Sequence, residues 1–212
     1  MSEKYRGMDR IFMECLVSRS EAEPLRDVWR KTGQRRYQFY ASKEGVRVDL
    51  NGDDKSQVTR IVSSGRAIQY SSSLRQWCAG PIADFPEIVE SVQQSRNKFH
   101  SRFADLAELH PEVKGHKNEN ITVAGKKLKC SRIEVRSPSN LAVPWRGEVL
   151  IDVESCLVWR AKLSVAQGGY RLQEDIQWTA IQACANCGEM ISHWAPPPGT
   201  MQIERFLQRL PG

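Results

Sequence analysis

The feature that most constrains this chain is a period of two running through residues 144–200. Trp145, Gly147, Val149, Ile151 and Val153 alternate with Arg146, Glu148, Leu150, Asp152 and Glu154. Trp159, Ala161, Leu163 and Val165 then alternate with Arg160, Lys162 and Ser164. After a Gly168-Gly169 turn, Tyr170, Leu172, Ile176, Trp178 and Ala180 alternate with Arg171, Gln173, Asp175, Gln177 and Thr179. Successive side chains of a strand point to opposite faces, so this pattern predicts a meander of three long strands, apolar on one face and polar on the other. Pro196-Pro197-Pro198 end it, because proline lacks a backbone donor and fixes φ.

The remainder reads as what completes or covers this sheet. Residues 2–9 read as the end of a short helix stopped by Gly7. Strands are expected over residues 11–17, 25–41, 46–50, 58–62 and 67–71, with Asn51-Gly52-Asp53-Asp54 as a hairpin turn and Ser64-Gly65 as another. The pattern changes at Gly80-Pro81. Asp84, Pro86 and Glu87 mark a helix start, and Phe85, Ile88, Val89, Val92, Phe99, Phe103 and Leu106 recur at helical spacing. One or two amphipathic helices are therefore expected as an insertion over about residues 84–109. Residues 110–120 are polar, with a proline and a glycine, and read as a mobile loop. Strands resume at 121–123 and 128–135, where Cys130 against Ile133 suggests a bulge. With no linker and no internal repeat, residues 1–212 read as a single mainly β (α+β) domain.

The chain carries 31 Lys and Arg against 25 Asp and Glu, a net charge of +6. That balance suits an anionic partner, but is also an ordinary charge for a soluble protein. No run of about 18 apolar residues signals a transmembrane helix. The first residues lack the apolar core and cleavage site of a secretory signal, so as written the chain would stay in the cytoplasm. Six cysteines occur at irregular spacing, which favours buried small hydrophobes. Cys184-Ala185-Asn186-Cys187 with His193 is the one candidate chemical cluster. Zinc would need a fourth ligand at matching spacing, and a redox pair would want a helix start where another strand is expected, so a local bridge or two unpaired thiols is favoured. Arg35-Arg36-Tyr37-Gln38-Phe39-Tyr40 interleaves cations with aromatics, yet a solvated strand face explains it as well as nucleic acid does. No nucleophile elbow, zinc-protease, P-loop or dinucleotide fingerprint is present. The expectation is a non-enzymatic protein with no cofactor, no metal and no nucleic-acid partner.

Several phrases resemble the LolA-like outer-membrane lipoprotein-sorting family. They are Gly65-Arg66-Ala67-Ile68-Gln69-Tyr70 with Ser73-Leu74-Arg75-Gln76-Trp77, the segments 129–135, 148–152 and 156–160, Ala195-Pro196-Pro197-Pro198-Gly199-Thr200, and Tyr5-Arg6-Gly7-Met8. The resemblance implies an incomplete antiparallel barrel, a half-barrel of about 10–11 strands, with helices covering a concave apolar face. It implies a monomeric, periplasmic carrier, at most peripheral to a membrane, that holds a lipid or lipoprotein acyl chain. The sequence as given departs from the family in lacking a signal peptide and the first part of the leading helix, which implies either a truncated start or a changed localisation, and in placing Ile191-Ser192-His193-Trp194 before the prolines. On this reading Val149, Ile151, Trp159, Leu163, Ile176 and Trp178 line the wall of a hollow, faced by Ile88, Val92, Phe99 and Phe103 from the helices. The alternatives are that these residues pack only against one another, that the fold serves as a sensory or envelope-protein interaction module, or that the Cys-x-x-Cys pair makes a thiol or zinc protein.

Overall fold

The structure, a computed structural model, describes residues 10–22, 29–100, 112–123, 125–138, 144–155, 157–167 and 170–206. The expected helix over 2–9 and the positions of Phe103 and Leu106 lie outside them. Among the described residues the chain is mainly β. Its strands are β1 (Ile11–Ala22), β2 (Trp29–Ser42), β3 (Gly45–Gly52), β4 (Gln57–Ser63), β5 (Arg66–Ser71), β6 (Gln76–Pro81), β7 (Glu112–Val123), β8 (Lys126–Arg136), β9 (Trp145–Asp152), β10 (Val158–Gln167), β11 (Tyr170–Ala183) and β12 (Met201–Gln202). Two helices join them, α1 (Pro86–His100) and α2 (Cys187–Ser192). The strand order is β12-β6-β5-β4-β3-β2-β1-β11-β10-β9-β8-β7, a twelve-stranded sheet. β12 lies parallel to β6, which makes the sheet mixed. No helix among the described residues is long and apolar enough to cross a membrane.

By its contacts the chain forms two compact units. One contains residues 15–35 and 100–180, the other residues 8–14, 36–99 and 181–212. In the second, β3 to β6 form an antiparallel meander, with Val46 opposite Val62, Ile61 opposite Ile68 and Ala67 opposite Gly80. Two apolar clusters cover it. Tyr40, Ile61, Cys187 and Ile191 pack with Phe12, Ile68, Met190 and Trp194, and Ala67, Cys78, Phe85 and Ile88 pack with Val62, Ile203 and Phe206. Gly80 makes room for the second cluster, since a β-carbon there would stand 2.6 Å from the Phe85 ring. Tyr37, Phe39 and Tyr40, the aromatics of the basic-aromatic run, are buried, so they offer no platform on which a base could stack.

In the other unit β7 to β11 continue the antiparallel order, and the registers sort the side chains into two faces. One face carries the row Ile133–Val149–Ala161–Ile176, then Val135–Gly147–Leu163–Glu174, then Trp145–Val165–Leu172. The opposite face carries Arg132–Leu150–Arg160–Gln177, then Glu134–Glu148–Lys162–Asp175, then Arg136–Arg146–Ser164–Gln173. Leu163 lies over Gly147, where a β-carbon would come within 2.6 Å of it.

Three local expectations are corrected. Residues 112–120 are the body of β7, paired from Glu112↔Arg136 to Val123↔Lys126, and not a loop. An edge strand has one partner and much solvent, so its polar composition hides it. The bulge expected at Cys130 is absent, because the β8–β9 register runs unbroken from Cys130↔Asp152 to Arg136↔Arg146. Cys130 belongs to the polar face, where it is buried. The β7 and β10 bulges fall at Val113/Gly115 and Val158/Arg160. Finally, Cys187 opens a helix instead of a strand. Cys187, Gly188 and Ile191 turn inward, and Ser192 Oγ bonds the Gly188 carbonyl at 2.9 Å.

Candidate functional site: a basic, apolar cleft

The ends of β8, β9 and β10 are drawn together beyond their regular ladder. The Ser137 N–H donates to the Trp145 carbonyl at 2.8 Å, the Trp145 N–H to Ser137 Oγ at 3.1 Å, and the Ala166 N–H to the Pro144 carbonyl at 3.4 Å. Pro138 and Pro144 flank this closure and contribute apolar rings but no donors. Trp29, at the start of β2, carries the Arg171 guanidinium 5.5 Å above its ring. Between these elements lies a cleft of about 540 Å³, within the size range of small-molecule sites. Trp29, Pro138, Pro144, Trp145, Val165 and Ala166 give it an apolar lining, and Ser137 and Ser164 add hydroxyls. Arg136, Arg146 and Arg171 complete it, and no carboxylate is among the described residues that line it.

The three guanidiniums differ in how they are compensated. Arg136 binds the Glu112 carboxylate through Nε at 2.8 Å and through a terminal nitrogen at 2.7 Å. Glu112 also holds Lys114 at 2.8 Å, so one carboxylate serves two cations, and both hold its pKa below the usual range. Arg171 is stacked on Trp29. Arg146 stands directly opposite Arg136 and has no carboxylate partner among the described residues. Like charges opposed across a ladder repel.

A second, smaller cleft of about 110 Å³ lies on the polar face, lined in part by Glu119, Arg132, Glu148, Trp159, Arg160 and Gln177. Its charges are matched. Arg132 reaches Glu119 at 2.7 Å and Glu148 at 3.3 Å, and Arg160 grips Asp175 through Nε at 2.9 Å. The carboxylates of Glu119 and Asp175 raise the pKa values of Arg132 and Arg160 respectively, so both remain cationic. At roughly 30 Å³ per water, it has room for a few waters and not for a chain.

The expected wall residues fall in several places. Val149 and Ile176 are buried in one cross-strand row, and Trp178 is buried as well. Ile151 and Leu163 are half-buried. Trp159 is the extra residue of the β10 bulge, which takes it out of phase with Leu163 and into the smaller polar cleft. Ile88 and Val92 are buried in the β3–β6 unit, Ile88 against Ala67, Cys78 and Phe85. Phe99 is in α1, but its side chain, like the whole of Phe103, lies outside the described residues. Trp29, Arg136, Arg146 and Arg171 were not anticipated. Their one sequence signal is that Arg136 and Arg146 fall at the facing ends of two consecutive strands. Cys184 and Cys187 are joined in a disulfide, so neither is the free thiolate that zinc ligation needs.

No protein-family model matches the chain, and no curated protein does. Among solved structures it is similar to an uncharacterised conserved protein from Thermus thermophilus, at 9% identity and TM-score 0.41, covering 91% of this chain and 90% of that one. It is similar to the Mycobacterium tuberculosis lipoprotein LppX at 12% identity and TM-score 0.39, covering 85% and 92%. Its similarity to MucB has 14% identity and TM-score 0.40, covering 91% of this chain and 64% of MucB. Likeness at this level stops at the mainly β architecture and singles out no family.

Proposed function

We propose that the protein is a non-enzymatic envelope binding or carrier protein that holds the acyl chain of a lipid or lipoprotein. The observation that carries this reading is the 540 Å³ cleft, in which two tryptophans, two prolines, Val165 and Ala166 present apolar surface. Each methylene removed from water contributes roughly 0.8 kcal/mol, so about ten supply roughly 8 kcal/mol before ordering costs. The Cys184–Cys187 disulfide supports a place outside the reducing cytosol, as does the resemblance of the short sequence phrases to the lipoprotein-sorting family.

The test is saturable uptake of a fluorescent fatty acid. Ala166 is exposed and lines the cleft, so Ala166→Trp fills the space without disturbing a packed core. Uptake at one equivalent by the natural chain, lost in this variant with its unfolding midpoint unchanged, is the expected result. Equal uptake by both would contradict the assignment to this cleft.

A further inference from the structure

Three guanidiniums and no carboxylate are among the described residues that line the cleft. Across β8, β9 and β10 one row reads Arg136–Arg146–Ser164, and Arg171, paired with Ala166, stands beside it on the same face. The neighbouring row adds no net relief: Glu148 is engaged by Arg132, Asp175 by Arg160, and the remaining carboxylate of that row, Glu134, is offset by Lys162. Glu112 is the only carboxylate the structure brings to Arg136 among the described residues, and it is shared with Lys114. Opposed guanidiniums cost stability unless an anion lies between them. Ser164 is opposite Arg146, so a hydroxyl borders the same cations. Guanidinium donors meet carboxylate and phosphate oxygens in bidentate pairs, which lysines do not reproduce.

We infer that the ligand is an anionic amphiphile, its carboxylate or phosphate head held by Arg146 and Arg136 with Arg171 at the side, and its tail against Trp29, Pro144 and Ala166. The inference rests on the acyl-chain reading above and adds to it the chemistry of the head. Arg146 is the discriminating position. Among the described residues it has no carboxylate partner to strand when removed, and its loss relieves Arg136, so Arg146→Gln leaves folding intact.

The experiment is calorimetric titration of the full chain and of Arg146→Gln with dodecanoate, dodecyl phosphate, methyl dodecanoate and inorganic phosphate. Both anionic amphiphiles bind the natural chain about tenfold or more tighter than the ester, a margin that shrinks with added salt. Arg146→Gln removes most of that margin, at an unchanged or slightly higher melting temperature. The tighter of dodecanoate and dodecyl phosphate assigns the head as carboxylate or phosphate. Ester binding as tight as dodecanoate, or a margin unaffected in Arg146→Gln, overturns the inference and leaves the acyl-chain reading standing. Inorganic phosphate binding as tightly as dodecyl phosphate overturns the amphiphile and leaves a simple anion site. Failure of every chain-bearing compound to bind overturns the acyl-chain reading itself.

Discussion

At position 147 a β-carbon would stand 2.6 Å from Leu163 Cδ2 and 3.0 Å from the Lys162 carbonyl oxygen. Leu163 can swing aside, but the carbonyl is part of the ladder. Gly147→Ala is therefore expected to cost about 1–3 kcal/mol, read as a lower urea midpoint at unchanged slope. Cys78 and Cys130 are buried on strands, and burial pushes both thiols up, with the Asp152 carboxylate adding to the effect at Cys130. Both are expected to resist iodoacetamide at pH 8 until the chain is unfolded, as peptide mass spectrometry will show. Position by position, alternation placed Val149, Ala161 and Leu163 on one face correctly. It misplaced Trp159, because one extra residue in a strand reverses the phase without altering composition.

The elements legible in the sequence were those whose two faces differ most in polarity, such as β9, β10 and β11. β7 was not legible. It is solvent-exposed along much of its length, and Gly115 and its many polar side chains imitate a loop. The same features suit an edge: Lys114, Lys117 and the Val113/Gly115 bulge discourage pairing with another chain. Backbone amides of residues 112–120 that face β8 are expected to exchange slowly, whereas a mobile loop would exchange at near-unprotected rates. α2 spans six residues, too short for helical periodicity to register. Its start is fixed by the Cys184–Cys187 bridge, which closes a very short loop. Cys184→Ser is expected to lower stability by about 2 kcal/mol in chemical denaturation, the value the chain-entropy relation gives for so small a ring.

For the whole molecule, the mainly β class followed from alternation and turn residues. The cleft did not. It depends on the order β2-β1-β11, which brings Trp29 to Arg171, and no local pattern encodes that adjacency. The net charge of +6 was visible from the start, but not that three arginines gather at one end of the polar face beside an apolar lining, while Arg132 and Arg160 farther along that face are paired with carboxylates. The central claim is that this lining accommodates an acyl chain. Native mass spectrometry of the purified chain equilibrated with dodecanoate tests it most directly. The account predicts one adduct per chain at low micromolar ligand, absent in Ala166→Trp. A chain that stays bare at saturating dodecanoate, or an adduct that persists in Ala166→Trp, would contradict it.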